Sequence, residues 1–244
     1  MLIANRRSFA LGAVLTAGFL AVLALIFSPI FDEGRNGLEY ADDMFNKLSK
    51  GSSYFIPKVA KATEKLAGSA VAVDIKLDSP QLAERAAVVM GGAGARVERD
   101  GSRLRIGADL GELLGRCLAD AEAGYRNDSD KLAARYGMGG QEVLAAWWKT
   151  LKPMAKALAV QKKTAEADVV TAVMKKAIEP AHNYYGIEAG DAVAMAGTMT
   201  GLLLFYVIYT IWWGSAIYYL FEGIGLIMRK AALPAPAMEP LKQS

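Results

Sequence analysis

The stretch "ALGAVLTAGFLAVLALIFSPIF", residues 10–31, decides how this chain folds, because its 22 residues include no charge. An α-helix rises about 1.5 Å per residue, so the stretch reaches across the roughly 30 Å hydrocarbon core of a bilayer. A secretory signal has a shorter apolar core, of roughly 7–15 residues, and a small-x-small cleavage site. This run is longer, and the sequence at its end, "IFSPIFDEG", contains no A-x-A cleavage site. The sequence therefore predicts a retained signal anchor, transmembrane helix 1, at residues 9–31.

The arginine pair before this helix allows two interpretations. Arg6-Arg7-Ser8-Phe9 resembles part of a twin-arginine export signal. Two cations beside a first apolar helix also satisfy the positive-inside rule without any export signal, which is the simpler account. Both interpretations place residues 1–8 in the cytoplasm, and the export route stays open.

A second uncharged run, residues 192–221, predicts transmembrane helix 2 and its interfacial end at residues 195–228. The region reads "GLLLFYVIYTIWWGSAIYYLFEGIGLIMRK" over residues 201–230, and its first cations are Arg229 and Lys230. The positive-inside rule puts these cations on the same side as Arg6 and Arg7. The predicted topology has two spans in a bacterial inner membrane, an exported domain at residues 32–191 and a cytoplasmic tail at 229–244.

The exported domain is electrically balanced, with 23 basic and 23 acidic residues between positions 32 and 191. Nucleic acid is therefore not an expected partner, because its recognition needs a concentrated basic face. The expected partners are the lipid bilayer and other membrane-protein subunits, with a homo-oligomer as an alternative.

Hydrophobic periodicity predicts an α+β membrane protein, in which two transmembrane helices flank a mostly helical domain. "SAVAVDIKL" alternates as a half-buried strand, and "ARVERDGSRLRI" reads as a hairpin around Asp100-Gly101. With the helical segments around them, residues 69–126 form a predicted β-α-β-β-α unit with a three-stranded sheet. Residues 128–186 read as a helical hairpin, with a kink expected at Pro153.

The residue types needed for familiar catalytic and metal sites are scarce. His182 is the one histidine and Cys117 the one cysteine, so neither a Ser-His-Asp triad nor a Cys/His metal set can form within the chain. His182 is the candidate cofactor-binding residue, although interfacial anchoring of the aromatic cluster beside it is the simpler explanation. No cofactor and no enzymatic activity are predicted.

Seven lysines lie between Lys149 and Lys176, against Glu166 and Asp168. They suit an acidic partner or anionic headgroups. The solvated face of an amphipathic helix pair explains them more simply.

Small and polar residues in both spans predict close helix contacts. Small residues at every fourth position let helix backbones approach, and a carboxylate inside a membrane is a functional candidate by default. Glu222 is such a carboxylate, and two positions are open for it. It lies inside the membrane, or it reaches the cytoplasmic headgroups, since it stands only seven residues before Arg229. The candidate packing or partner residues are Ala13, Ala17, Ala21, Gly197, Gly201, Ser215, Tyr218 and Glu222.

These features favour a non-catalytic accessory or scaffold subunit of a bacterial membrane complex, with a bioenergetic complex as one candidate assembly. The alternative is an extracytoplasmic ligand-binding or sensing module that signals through a partner, since the predicted cytoplasmic tail is too short for a signalling domain.

Overall fold

A computed structural model describes residues 3–226 of the chain. It divides into two compact units, which within these residues comprise 3–40 with 196–226, and 41–195. The predicted tail at 229–244, with Arg229 and Lys230, lies outside the described residues.

Two helices are long and apolar enough to cross a membrane: α1, Arg6–Ile26, and α10, Ala192–Gly223. Their mean hydropathies are 2.5 and 1.8, and almost none of either apolar window is buried within the protein. The core helix of a soluble domain would instead be covered. The two helices therefore fit a membrane protein, as the sequence predicts, on length and composition.

Local capping explains where these helices begin and end. The Asn5 side chain accepts hydrogen bonds from the backbone of Arg7 and Ser8, so α1 begins three residues before the predicted start. It ends at Ile26, shortly before Pro29, which cannot continue a helix. Asp191 accepts from the backbone N–H groups of Val193 and Ala194, which starts α10 at Ala192 rather than at 195.

Between these helices the chain is mostly helical, with one small sheet. The helices are α2 (Gly37–Ser52), α3 (Ile56–Thr63), α4 (Pro80–Gly92), α5 (Leu110–Tyr125), α6 (Ser129–Tyr136), α7 (Gly140–Val160), α8 (Thr164–Val173) and α9 (Glu179–Asn183). The strands are β1 (Ala70–Lys76), β2 (Arg96–Asp100) and β3 (Arg103–Asp109).

The three strands form an antiparallel sheet in the order β1-β3-β2. Val71, Val73 and Ile75 of β1 are buried, while the residues between them are exposed, as the alternating sequence predicts. Gly101 has a φ of +55°, which the tight turn between β2 and β3 requires. The sheet therefore buries one face against helices and leaves the other open.

The hydrophobic core lies between the sheet and helices α4, α5, α7 and α8. Trp147 of α7 is fully buried at its centre. α7 continues as one helix through Pro153 to Val160. α8 and α9 are joined by a π-helical turn, Met174–Ile178, directly before Pro180. Because Pro180 has no N–H, it cannot donate the regular helical bond to the preceding turn.

Candidate functional site

The two apolar helices α1 and α10 approach each other at three glycines. A Cβ on Gly12 would lie 2.6 Å from the backbone nitrogen of Leu220, and one on Gly223 would lie 2.6 Å from Cα of Phe9. A Cβ on Gly18 would lie 2.9 Å from the ring of Trp212. At Gly12 and Gly223 the neighbouring atoms belong to the backbone and leave no room for a side chain, so these two glycines set the distance between the helices.

Aromatic side chains of α10 reinforce this contact with polar bonds. Trp212 Nε1 donates to the carbonyl of Leu15 at 3.0 Å, and the Tyr209 hydroxyl donates to the carbonyl of Phe19 at 3.2 Å. The rings of Phe19 and Tyr209 stack, with centroids 4.1 Å apart. Hydrogen bonds between helices in an apolar environment are worth about 0.6–2 kcal/mol each. Some of the many aromatic residues of α10 therefore pack against α1 within the chain.

The small residues selected from the sequence do not lie at this contact. Ala13, Ala17 and Ala21 are exposed on α1. Within the described part of the chain, nothing lies within 4 Å of a Cβ placed on Gly197 or Gly201. The packing of α1 against α10 uses other glycines, so contact of these five residues with a partner stays a prediction.

Three candidate contact residues, Ser215, Tyr218 and Glu222, lie near the end of α10 at intervals of three and four positions. The Ser215 hydroxyl donates to the carbonyl of Ile211 at 2.8 Å, which satisfies it within its own helix. Tyr218 is 52% exposed and contacts the ring of Tyr219 edge-on. Glu222 is half-buried next to Gly223, one of the contact glycines. Arg229, on which the alternative headgroup position of Glu222 depends, lies outside the described range.

His182 lies in the short helix α9 and is half-buried. Its Nδ1 is 3.4 Å from the side-chain oxygen of its neighbour Asn183. Among residues 3–226, no group of three or more His, Cys, Asp or Glu side chains is arranged to hold a metal ion. Cys117 is fully buried in α5, and this burial raises the pKa of its thiol well above the usual value.

A buried lysine, which the sequence did not single out, organises one end of the unit Ala41–Met195. Lys50 is 1% exposed, and its ammonium group donates to Asn127 Oδ1 at 3.2 Å, to the carbonyl of Tyr184 at 3.2 Å and to the carbonyl of Ile187. An ammonium group has three N–H donors, so these three acceptors match it fully. The Tyr125 hydroxyl in turn donates to the Lys50 carbonyl. We call this set the Lys50 clasp.

The Lys50 clasp holds a loop that has no regular structure of its own. Asn127, at a φ of +60°, donates from Nδ2 to the Ile187 carbonyl at 2.9 Å and accepts from the Gly186 N–H at 2.8 Å. Burial lowers the pKa of Lys50, and the charge of Glu188 opposes that change. A cavity of about 830 Å³ opens beside the clasp, lined in part by Tyr54, Tyr125, Arg126 and Glu188.

Replacing Lys50 with methionine is expected to destabilise the loop at residues 184–190. Methionine keeps the apolar stem but removes all three donors, which leaves buried oxygens unbonded at a cost of about 1–3 kcal/mol. Hydrogen–deuterium exchange of the full-length protein in mild detergent measures the effect as faster exchange over these residues. The exposed Lys58 of α3 is the matched control. Equal effects of Lys50→Met and Lys58→Met would contradict the role of the clasp.

A second buried network surrounds Asp120 of α5, which is 0% exposed. It accepts from Arg135 Nη1 at 2.5 Å, from the Tyr136 hydroxyl at 2.5 Å and from Trp147 Nε1 at 2.9 Å. Burial and the bond to Asp120 both raise the pKa of Tyr136. These contacts join α5, α6 and α7. Because the donors from three residues converge on one carboxylate, the network holds the helices together.

The exposed face of the sheet is rich in charge, with seven charged side chains among ten residues. We call it the open sheet face: Ala70, Ala72, Asp74, Lys76, Arg96, Glu98, Asp100, Arg103, Arg105 and Gly107. Arg105 lies across the strands from both Asp74 and Glu98, at 3.8 and 3.6 Å. Exposed pairs of this kind contribute about 0.2–1 kcal/mol, so a partner's charges can replace them.

The two edges of the sheet differ. At the β1 edge, Gln161 Nε2 donates to the carbonyl of Ala72 at 2.8 Å, and Lys163 Nζ donates to that of Ala70 at 3.0 Å. Among the described residues, no hydrogen bond reaches the outer edge of β2. The chain that follows α7 therefore bonds to two carbonyls at one edge of the sheet and leaves the other edge open.

No protein-family model matches this chain, and searches of curated proteins and of solved structures found no similar protein.

Proposed function

We propose that the chain is a non-catalytic, two-span accessory or scaffold subunit of a bacterial inner-membrane complex, of which a bioenergetic complex is one candidate. Both termini lie in the cytoplasm in this proposal, and the central domain is exported. The supporting observation is that α1 and α10 pair through Gly12, Gly18 and Gly223. That pairing leaves Ala13, Ala17, Ala21, Gly197 and Gly201 uncovered.

Uncovered small residues in a membrane helix matter because association in lipid depends on close packing, with little hydrophobic driving force. Gly197 and Gly201 lie one turn apart with open space beside them among the described residues. Ala13, Ala17 and Ala21 form a similar row on α1. The proposal assigns these rows to helices of other subunits, which then hold the exported domain at a fixed place in the assembly.

The buried polar groups also favour a structural role over catalysis. The Lys50 ammonium and the Asp120 carboxylate are each bonded to three partners. A catalytic acid, base or nucleophile needs a proton or a lone pair that can reach the substrate. Both groups join segments of the fold that lie apart in the sequence, as a scaffold requires.

Substituting leucine at both Gly197 and Gly201 is expected to reduce the recovery of partner subunits about tenfold or more. The added side chains prevent close approach of a second helix and leave the α1–α10 contact untouched. The measurement is a pull-down of the tagged full-length protein from native membranes in mild detergent, quantified by mass spectrometry. Thr210→Leu, at an exposed position on the opposite side of the same helix, is the control. An intact complex in the double variant would contradict the proposal.

The second candidate function is a ligand-binding or sensing module. The 830 Å³ cavity beside the Lys50 clasp favours it, because small-molecule sites are concave and about this size. Saturable binding of a small molecule to the full-length protein, lost in Tyr54→Ala, would support this function. Purification of the chain without any partner subunit would also support the ligand-binding or sensing function.

A further inference from the structure

The open sheet face and the residues beside it together concentrate positive charge on a unit that is otherwise acidic. Ala41–Met195 carries 22 basic and 20 acidic residues, a net of +2. Nine of the basic and five of the acidic residues lie on this face or beside it, which gives the face and its surroundings +4 and the rest of the unit −2. The fourteen are Lys76, Arg96, Arg99, Arg103, Arg105, Lys149, Lys152, Lys156 and Lys163, with Asp74, Asp78, Glu98, Asp100 and Asp109.

The lysines of α7 continue the basic surface beyond the sheet itself. Lys76 lies opposite Arg103 in the strand register. Lys76, Lys149, Lys152 and Lys156 together line a cavity of about 280 Å³, with Asp78 as its one carboxylate. Only Lys149 is close to that carboxylate, at 3.4 Å. This part of the surface has more cationic groups than the protein's own anions can balance.

The central part of the face has a floor without bulky side chains. A groove of about 460 Å³ runs over Ala72 and Gly107, between Arg96 and Arg105 on one side and Gln161 on the other. Small residues at the floor let a partner's side chain approach the strands. Val160, 78% exposed, adds an apolar contact next to Gln161. The face therefore offers shape and apolar area as well as charge.

The distribution of the carboxylates argues against a uniform polyanion. Asp74 and Glu98 flank Arg105 in the middle of the face, and Glu98 is 79% exposed. A regular array of phosphates laid across the sheet would meet both carboxylates and be repelled. A protein surface can place acidic groups over the arginines and lysines and a neutral or basic group over these two positions, and this complementarity sets specificity.

We propose that the open sheet face and the adjoining lysines of α7 bind an acidic surface patch of a partner protein. This inference rests on the proposed scaffold function, and it assigns a second contact that lies outside the membrane helices. The partner's carboxylates pair with Arg96, Arg103, Lys152 and Lys156, and one of its side chains fills the groove over Ala72 and Gly107.

The test combines site-specific photocrosslinking with charge reversal in the full-length protein in native membranes. p-Benzoylphenylalanine at position 72 probes the groove, and the same residue at position 88, on exposed Val88 of α4, probes the helical layer. Lys152→Glu/Lys156→Glu reverses charge beside the face. Lys175→Glu/Lys176→Glu makes the same change in net charge on exposed lysines of the π-helical turn.

The expected result is a discrete protein adduct from position 72 with no counterpart from position 88. Its yield should fall about tenfold or more in Lys152→Glu/Lys156→Glu, remain near wild type in Lys175→Glu/Lys176→Glu, and decrease as salt is raised. An adduct that is insensitive to charge reversal would overturn the proposal, as would the absence of any protein adduct. Charge-dependent binding of phosphatidylglycerol vesicles or polyphosphate, without a protein adduct, would assign the face to a polyanion instead.

The predicted contact of Gly197 and Gly201 with partner subunits distinguishes failure of this inference from failure of the scaffold function. If partner subunits co-purify and are lost in Gly197→Leu/Gly201→Leu, but no adduct forms at position 72, the docking inference fails while the scaffold function stands. If no partner subunit co-purifies, the scaffold function fails. An adduct at position 72 in that case would show a partner bound only through the sheet.

Discussion

Replacing Asp120 with alanine is expected to lower the free energy of unfolding of this protein by about 3–5 kcal/mol, the usual cost of breaking a buried charged network. The carboxylate is fully buried and accepts from Arg135, Tyr136 and Trp147. Alanine leaves all three donors without an acceptor. Hydrogen–deuterium exchange of the full-length protein in mild detergent should be faster over α5, α6 and α7 by more than about a hundredfold.

Two further variants separate the charge from the shape of this side chain. Asp120→Asn keeps the size and one acceptor oxygen, so its expected cost is smaller, about 1–3 kcal/mol. Asp130→Ala removes an exposed carboxylate on α6 and should change exchange little. Wild-type exchange over α5–α7 in Asp120→Ala would show that the network does not support the domain.

Replacing Gly12 with leucine is expected to separate the two apolar helices. Even a Cβ at this position would lie 2.6 Å from the backbone nitrogen of Leu220 and 3.0 Å from the backbone carbon of Tyr219, neither of which can rotate away. Overpacking a close contact costs about 1–3 kcal/mol, and here the backbones themselves must move apart. The midpoint of thermal unfolding in mild detergent should fall accordingly.

The matched control for this steric effect is Gly214→Leu in α10, where nothing among the described residues lies within 4 Å of the added Cβ. Trp212→Phe provides a second comparison, because it removes the bond to the Leu15 carbonyl and keeps a large ring. Its expected effect is about 0.6–2 kcal/mol. If Gly214→Leu were as destabilising as Gly12→Leu, the contact between α1 and α10 would not be set by Gly12.

The parts of the fold that the sequence predicted are those with a local cause. Absence of charge marks α1 and α10, alternation marks β1, and Asp100-Gly101 marks the hairpin. Helix boundaries shifted by several residues because caps such as Asn5 and Asp191 decide them.

The parts that the sequence did not predict depend on residues far apart in the chain. Lys50 bonds to carbonyls 134 and 137 residues away, and no local pattern marks it among the other lysines. Asp120 is likewise one acidic residue among many until α6 and α7 pack around it. The glycines at the helix contact were missed for a different reason. Spacing identifies rows of small residues, but the rotation of each helix decides which row meets the other helix.

The unequal edges of the sheet limit how copies of this chain can join. Head-to-tail strand pairing would need the β1 edge of one copy and the β2 edge of the next, and Gln161 and Lys163 already occupy the β1 edge. Pairing of β2 with β2 leaves those two bonds in place, and it is an isologous pairing with two-fold symmetry. Such a pair uses both β2 edges, so further growth by strand addition would have to displace the bonds at the β1 edge.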